Sequence, residues 1–462
     1  MLVPSYWNTH RNFNPYKTRS SRRISTLAYG VSAAFLSESY RPKSALTYEV
    51  PKDNGSYRTT SVFQIPDAVL SRVVYQALLR KNRHRMSAYA YAYRDDIGSH
   101  EAIANVANDF SRRSRTYVAE YDFSAFFDNI RHEYLWKIFD RAGFVATRQE
   151  RQVLEAFMAT GSHDLKTYRE TAPLRSTGIP QGTSVSLFLA NVACWDLDRA
   201  LERLGVGFAR YADDTLIWSD SYTKIVQAHE ALDSFSAACG VLINEEKSDG
   251  IHLLSRNPEK SEIRSKSAVT FLGYSLAEQS VSISEKHVAR IKKKLSKLIY
   301  CNLLQVPKQG LFVSPRLSPV DWDYLVCIAQ IRRYLYGGLK TLELLDYTRG
   351  VTTKLRFRGL MSYYPNVSDA RQLRELDGWL LHSLRASLKL REKLIASLGG
   401  PAKLPGPEPD WIDKLEALRT VPIGTVMFDY RVPSFSLILK VLKKALEAQG
   451  TSTFASSRST YY

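Results

Sequence analysis

The chain has 462 residues, 44% of them hydrophobic and 24% charged, which is enough for two or three domains around a large core. Its formal net charge of +18 favours a polyanionic partner, because lysine and arginine contact phosphates and release their counterions. No apolar run reaches the roughly 18 residues of a spanning helix, and the four cysteines have no paired spacing, which excludes membrane-spanning and disulfide-rich classes. The first 25 residues lack an apolar signal core, so we expect a cytoplasmic protein with no membrane partner.

The first 280 residues alternate predicted strands and helices. Pro66 opens an apolar helix, since proline is tolerated in the first helical turn, and Asp53-Asn54-Gly55 predicts a turn between two strands. In chain order we predict a helix at 27–36, strands within 48–63, the helix after Pro66, a helix at 99–110, a strand at 117–122, helices at 132–143, 148–160 and 184–204, a hairpin at 208–218, a helix at 222–239, and strands at 241–244 and 269–274.

After residue 280 the chain is predicted to be mainly helical and strongly basic. Ser284 is expected to cap a helix with one apolar face and one basic face, the latter running from Arg290 to Lys297. Glycines and prolines at 399–409 predict a linker. The further predicted helices lie at 322–346, 350–362 and 367–397, with a last helical element ending near Gln449.

Two adjacent acids, Asp213 and Asp214, stand between short runs of aromatic and β-branched residues. This pattern predicts a β-hairpin that presents both carboxylates at its tip, and their mutual repulsion indicates a divalent cation nearby. One chemistry that uses such cations is nucleotidyl transfer, which needs two ions about 4 Å apart. For that chemistry we expect a further carboxylate at the end of another central strand. Asp122, at the end of an alternating run, is the candidate. The segment Tyr93-Arg94-Asp95-Asp96 has a similar form, but its flanks predict a solvated turn before a helix.

With these acids, the chain resembles the bacterial reverse transcriptases that include retron, group II intron and phage-defence enzymes. The similarity covers most of residues 45–275, with a weaker similarity to about residue 395. Thr183-Ser184-Val185 stands where many relatives have Ser-Pro, which is closer to the divergent defence-associated and abortive-infection enzymes. The similar motifs are Tyr48 to Arg58, Val118 to Asp128, Gly178-Ile179-Pro180-Gln181-Gly182, Tyr211-Ala212-Asp213-Asp214, Asn244-Glu245-Glu246-Lys247 and Phe271-Leu272-Gly273-Tyr274.

The resemblance implies a metal site. Asp122, Asp213 and Asp214, assisted by the backbone carbonyl of Phe123, would hold two Mg²⁺ ions, with Mn²⁺ as the alternative ion. Carboxylate oxygens are the ligands that hard cations of this kind prefer, so the residue types suit the implied role.

The resemblance also implies a nucleotide site. Lys52 and Arg58 would contact the incoming triphosphate, for which the guanidinium fork is well suited. Gln181 would lie near the base and sugar, and Phe127 would exclude a 2′-hydroxyl as a steric gate. Lys247 would protonate the leaving pyrophosphate as general acid. An ordinary core position for Phe127 and an ordinary solvated lysine at position 247 are alternatives that the sequence leaves open.

The implied fold is α+β, a right-hand polymerase in which fingers and a palm with an antiparallel sheet precede a helical thumb and a small helical C-terminal extension. The expected boundaries are a lead-in segment at 1–45, fingers and palm at 46–280, a basic thumb at 281–399, a Pro/Gly linker at 400–409, and the extension with a disordered tail at 410–462.

The implied activity is RNA-directed DNA polymerase, making cDNA from deoxynucleoside triphosphates (dNTPs) by two-metal nucleotidyl transfer. Its implied template is a non-coding RNA encoded nearby, and its implied setting is bacterial anti-phage defence. Untemplated or protein-primed DNA synthesis at the same site and an RNA-binding, maturase-like role are the alternatives. The template, primer, product sequence, trigger and oligomeric state are left open.

Overall fold

The computed structural model of the protein describes residues 21–51, 55, 57–113, 115–163, 173–245, 248, 250–255, 264–405, 421–423 and 426–454. Helices and strands alternate in its first part. They are α1 (Ser21–Leu36), β1 (Ala45–Pro51), β2 (Tyr57–Val62), α2 (Ile65–Asn82), α3 (Ser99–Arg112), β3 (Thr116–Tyr121), β4 (Phe123–Ser124), α4 (Phe126–Asn129), α5 (His132–Arg141), α6 (Arg148–Ala159) and β5 (Ser162–His163).

The middle part adds two consecutive helices, a hairpin and several short strands. They are α7 (Ser184–Ala193), α8 (Trp195–Leu204), β6 (Gly207–Tyr211), β7 (Asp214–Ser219), α9 (Tyr222–Cys239), β8 (Leu242–Ile243), β9 (Ile251–Leu254), β10 (Ser265–Lys266), β11 (Val269–Phe271), β12 (Tyr274–Leu276) and β13 (Val281–Ile283).

The C-terminal helical region follows, and it comprises α10 to α15. Its elements are α10 (Glu285–Ile299), α11 (Gln305–Lys308), α12 (Trp322–Tyr336), α13 (Thr341–Arg349), α14 (Ala370–Ser397), the strands β14 (Val421–Ile423) and β15 (Val426–Phe428), and α15 (Phe435–Gln449). No helix in the described part of the chain is both long enough and apolar enough to cross a membrane.

Most predicted elements are confirmed, with local differences where a residue breaks the expected run. The helix predicted at 184–204 is two helices that meet at Cys194, and the one at 322–346 is interrupted at Gly337-Gly338, where φ is 71° and 102°. The strand predicted at 269–274 is confirmed for residues 269–271, which form β11, but a tight turn at Leu272 (φ 48°) separates it from β12, which begins at Tyr274. The helix predicted at 350–362 is wrong except for a 3-10 turn at Leu360–Tyr363.

A five-stranded sheet in the order β10-β9-β3-β7-β6 lies at the centre of the fold. Strand β3 is antiparallel to both of its neighbours, β7 and β9. Successive side chains of a strand point to opposite faces. Accordingly, Ala119 and Ile217 join one hydrophobic cluster with α2 and α5 to α9, whereas Val118 and Trp218 join a second cluster with α3 and the C-terminal helical region. The sheet is therefore covered on both faces, which fixes its register.

Helix α15, the last helix in the described part of the chain, belongs to the C-terminal core. Buried residues of α15 share a cluster with those of α12 and α14, and Asp377 of α14 accepts hydrogen bonds from the main-chain NH groups of Phe435 (2.6 Å) and Ser436 (3.1 Å). After α15, the Phe357 NH donates to the Thr453 carbonyl at 3.1 Å. Residues 455–462, which include most of the tail predicted to be disordered, lie outside the described residues.

Candidate active site

The paired acids lie at the tip of a hairpin, as predicted. Strands β6 and β7 pair as far as Tyr211 and Asp214, which leaves Ala212 and Asp213 as a two-residue loop. Ala212 has φ 61°, a left-handed conformation that costs an L-residue about 1–2 kcal/mol. Glycine or asparagine usually occupies such a position in two-residue hairpins, so the surroundings of this loop must hold Ala212 in place.

Asp122 lies at the same end of the sheet as the hairpin tip. Tyr121 pairs with Thr215 across β3 and β7. Asp122 directly follows Tyr121 and Asp214 directly precedes Thr215, so both acids lie just beyond the last pair of this ladder. Asp122 is 9% exposed. The register thus brings Asp122 and the hairpin that carries Asp213 and Asp214 to the same end of the sheet.

The three carboxylates suit Mg²⁺ by their chemistry. In the described part of the chain, no three His, Cys, Asp or Glu side chains form a complete ligand cluster. Mg²⁺ does not require such a cluster, because it usually keeps several waters and binds through one or two carboxylates together with substrate phosphates. The oxygen donors of Asp122, Asp213 and Asp214 therefore fit an ion that is completed by the nucleotide.

Asn244 supports Asp122 directly. Its main-chain NH donates to the Asp122 carbonyl at 2.8 Å, and its side-chain amide donates to a carboxylate oxygen of Asp122 at 3.4 Å. Phe123 pairs with Ile243 between β4 and β8. Since hydrogen-bonded and non-bonded pairs alternate along an antiparallel ladder, the Phe123 carbonyl is directed away from β8. This direction leaves it suited to the metal-assisting role that the sequence predicted.

The segment just before α7, residues 178–182, contacts two predicted nucleotide-binding elements. The Ile179 NH donates to the Phe127 carbonyl at 2.7 Å, and the Ser61 NH of β2 donates to the Gln181 carbonyl at 2.6 Å. The main chain of this segment therefore fixes the predicted gate residue relative to β2.

Two glycines allow the main chain at residues 178–182 to lie this close to Asp128 and Ser61. Gly182 has φ 130°, and a Cβ there would lie 2.1 Å from the Ser61 carbonyl oxygen. Gly178 has φ 78°, and a Cβ there would lie 2.4 Å from the carbonyl oxygen of Asp128. Both distances are far inside van der Waals contact, so neither position accommodates a side chain.

The ring of Phe127 is buried, with 7% exposure. It packs edge-to-face against Phe126, with ring centroids 5.7 Å apart, and against Tyr93, with centroids 6.4 Å apart. Tyr93 has φ 61°, and its carbonyl accepts a hydrogen bond from the Tyr75 hydroxyl at 2.9 Å. Sequence reasoning missed Tyr93 because its own segment resembles a surface turn.

The turn predicted around Tyr93 is only partly solvated. Arg94 is buried and donates to both carboxylate oxygens of Asp96, at 2.9 and 2.6 Å, and to the Ser87 carbonyl at 2.6 Å. Asp95 is exposed, as predicted. The prediction is therefore wrong for Arg94, whose burial depends on contacts that no local pattern shows.

The remaining predicted residues are described in part or not at all. Arg58 lies in β2 opposite Val50 of β1. Lys52 and Lys247 lie outside the described residues. Their roles remain predictions.

The central sheet presents paired acids at a hairpin, is backed by helices and is followed by a helical region. This arrangement defines an α+β fold of the right-hand polymerase type. The family model for reverse transcriptase (RNA-dependent DNA polymerase) matches residues 50–276. This segment, just under half of the chain, matches the reverse transcriptase domain. No curated protein matches the sequence significantly.

Solved telomerase structures are similar to this chain at low identity. Telomerase from Candida albicans in complex with a TWJ fragment of telomeric RNA is 11% identical with a TM-score of 0.40, over 78% of this chain and 63% of that one. Apo telomerase from Candida tropicalis is 11% identical with a TM-score of 0.41, over 82% and 62%. The same enzyme truncated from its C-terminal domain is 12% identical with a TM-score of 0.40, over 56% and 60%. The chain thus spans less than two thirds of each telomerase chain.

Proposed function

We propose that this protein is a reverse transcriptase that extends a 3′-hydroxyl with dNTPs on an RNA template. One observation supports the proposal most strongly. Strands β3 and β7 pair as far as Tyr121 and Thr215, so Asp122 and the Asp213-Asp214 turn lie at the same end of the sheet, inside the segment that the family model matches. Two-metal nucleotidyl transfer uses closely spaced ions, and carboxylates at one end of a sheet are suited to hold them.

In this proposal the carboxylates of Asp122, Asp213 and Asp214 and the carbonyl of Phe123 hold Mg²⁺, or Mn²⁺ in its place. When bound, the ions activate the attacking hydroxyl and neutralise charge on the triphosphate. The protein fixes the ligands on rigid strands, and Asn244 fixes the orientation of the Asp122 carboxylate. Positioning and charge stabilisation then supply most of the rate gain.

The nucleotide is proposed to bind between the fingers strands and the loop that ends at Gly182. Lys52 and Arg58 contact its triphosphate, and Gln181 lies near its base and sugar. The ring of Phe127 excludes a 2′-hydroxyl, which gives a preference for deoxynucleotides. Lys247 protonates the departing pyrophosphate.

The basic face of α10 is proposed to contact the backbone of the template–product duplex. Ile291, Leu295 and Ile299 are buried on one side of this helix, whereas Arg290 and Lys294 on the other side are exposed. Phosphate contacts of this kind position a duplex without reading its sequence. The net charge of +18 supports the same polyanionic partner.

The biological setting follows only from the resemblance. The Thr183-Ser184-Val185 run supports a member of the divergent bacterial enzymes that act in phage defence, with a nearby non-coding RNA as template. We also propose the boundaries given above, with fingers and palm at 46–280, a thumb at 281–399, and a linker and extension beyond.

The experiment is dNTP incorporation by protein purified together with its gene-flanking RNA, followed by sequencing of the product. Wild type is compared with the Asp213→Asn, Asp214→Asn double variant and with Asp95→Asn as a matched control. Asp95 is an exposed acid in a segment of the same form, so its loss should leave synthesis intact.

Metal-dependent cDNA from wild type and Asp95→Asn, but not from the double variant, would support the proposal. Product that resists ribonuclease pretreatment and stays linked to protein would indicate untemplated or protein-primed synthesis instead. RNA binding without any incorporation would favour the maturase-like role.

A further inference from the structure

The side chain of Arg210 is fully buried. Arg210 lies two residues before the Ala212-Asp213 loop, which we call the metal-binding turn. It lies in β6 and is 1% exposed. Arginine is almost never buried to this extent unless it is paired, because removing its charge from water is costly. The burial of this charged side chain must therefore be explained by the contacts that it makes.

The guanidinium joins the turn to two helices. Nε and Nη2 donate to the two carboxylate oxygens of Asp198 in α8, each at 2.7 Å. Nη1 donates to Asn191 Oδ1 in α7 at 3.2 Å and to the Ala212 carbonyl oxygen at 3.1 Å. Asn191 in turn donates to the Ala92 carbonyl at 2.9 Å. The network thus connects the buried helices to the peptide group between Ala212 and Asp213.

Burial and pairing act in opposite directions on Arg210. Burial by itself lowers the pKa of the guanidinium, but the carboxylate of Asp198 raises it, and the net effect is a raised pKa. The side chain therefore stays cationic, and its forked geometry allows it to bind Asp198 and Ala212 simultaneously. A lysine could keep the charge but could not make both sets of contacts.

The contact with Ala212 explains how the hairpin tip keeps its conformation. Ala212 has φ 61°, which an L-residue adopts only when its surroundings impose it. The hydrogen bond from Nη1 fixes the orientation of the Ala212 carbonyl, and hence of the whole peptide group between Ala212 and Asp213. A small rotation of this peptide would change the direction of the Asp213 side chain.

We propose that Arg210 is a positioning residue, which holds the Ala212–Asp213 peptide against α7 and α8 and so sets the place of the metal-binding carboxylates. The proposal rests on the proposed function, because it assigns Arg210 to the same site. Arg210 touches neither substrate nor metal in this role. It acts through the orientation of Asp213.

The test compares Arg210→Lys with Arg391→Lys. Arg391 is a matched control, because its guanidinium is also buried and also paired, with Asp321 (3.1 Å), Asp323 (2.9 Å) and the Leu303 carbonyl (3.0 Å). It lies in α14, within the C-terminal helical region. Both variants lose a buried fork, but only one of these forks contacts the metal-binding turn.

Two readouts separate positioning from stability. Mn²⁺ binding to the whole protein is titrated by electron paramagnetic resonance, and kcat and KM for dNTPs are measured at a temperature where both variants are folded. Loss of an outer-shell partner costs about 10- to 100-fold in metal affinity or activity. We expect Arg210→Lys to weaken Mn²⁺ binding and lower kcat in that range, with thermal destabilisation similar to that of Arg391→Lys.

Equal Mn²⁺ affinity and kcat in the two variants would overturn the proposal. If wild type bound Mn²⁺ but made no DNA, a selective loss of Mn²⁺ binding in Arg210→Lys would uphold the positioning role while the proposed function failed. If Arg210→Lys did not fold, Asn191→Ala would replace it, since it leaves the Asp198 pair intact and should weaken Mn²⁺ binding in the same direction. Unchanged Mn²⁺ binding in Asn191→Ala would then count against the proposal.

Discussion

Asn244 binds Asp122 through both its main chain and its side chain, although the two residues are far apart in the sequence. The NH of Asn244 donates to the Asp122 carbonyl at 2.8 Å, and its amide donates to the carboxylate at 3.4 Å. The first bond continues the pairing of β4 with β8, and the second orients a predicted metal ligand.

Replacing Asn244 by alanine should lower kcat by about tenfold, because outer-shell partners of metal ligands typically contribute 10- to 100-fold. The main-chain bond remains, so the fold should be kept. Steady-state kinetics at several Mg²⁺ concentrations would show the loss shrinking as Mg²⁺ rises. Asn302→Ala in the C-terminal helical region is the control, and an equal loss there would contradict this role.

Gly182→Ala should lower kcat/KM for dNTPs by up to about 100-fold, since a misplacement of about 1 Å can cost that much. The added Cβ would lie 2.1 Å from the Ser61 carbonyl and would separate Gln181 from β2. Gly378→Ala is the control, because Gly378 lies within α14 with no atom near its Cβ position. That control should gain about 1 kcal/mol of stability.

Phe127→Leu should increase ribonucleotide incorporation relative to deoxynucleotide incorporation by about tenfold or more, the size of effect expected from a change in pocket shape. The measurement is competition between a dNTP and its ribonucleotide in single-turnover assays. Phe126→Leu alters a neighbouring buried ring and should reduce stability without changing the ratio. If both variants had the same ratio of ribonucleotide to deoxynucleotide incorporation, an ordinary core role for Phe127 would be favoured.

Asp67 should make stability depend on pH. Burial raises the pKa of this carboxyl from 3.8 to about 6, although the Tyr40 hydroxyl donates to it and lowers the pKa in part. Between those pH values the folded protein binds more protons than the unfolded chain, so the free energy of unfolding falls as pH rises. A shift of about two units corresponds to about 3 kcal/mol.

Asp67→Asn should lack this decline, because an amide has no proton to release. Chemical denaturation at pH 4 and pH 7 would show the variant gaining stability relative to wild type at the higher pH. Parallel pH curves for the two proteins would show that the Asp67 carboxyl titrates normally in the fold.

The sequence predicted what is local in this site. The Asp213-Asp214 hairpin follows from acids between β-branched and aromatic residues, and Pro66 marked the start of α2. It could not predict contacts between distant segments. The Asn244–Asp122 bonds depend on the pairing of two-residue strands, and Arg94 becomes buried only when the segments around it pack.

The core of the C-terminal helical region has a consequence for how the protein is made. Buried residues of α15 complete the cluster shared with α12 and α14. Asp377 of α14 accepts hydrogen bonds from the first main-chain NH groups of α15. We expect a nascent chain on the ribosome to leave that cluster open until residues 435–449 have emerged from the exit tunnel. Chaperone binding should therefore persist until α15 has emerged and packed against α12 and α14.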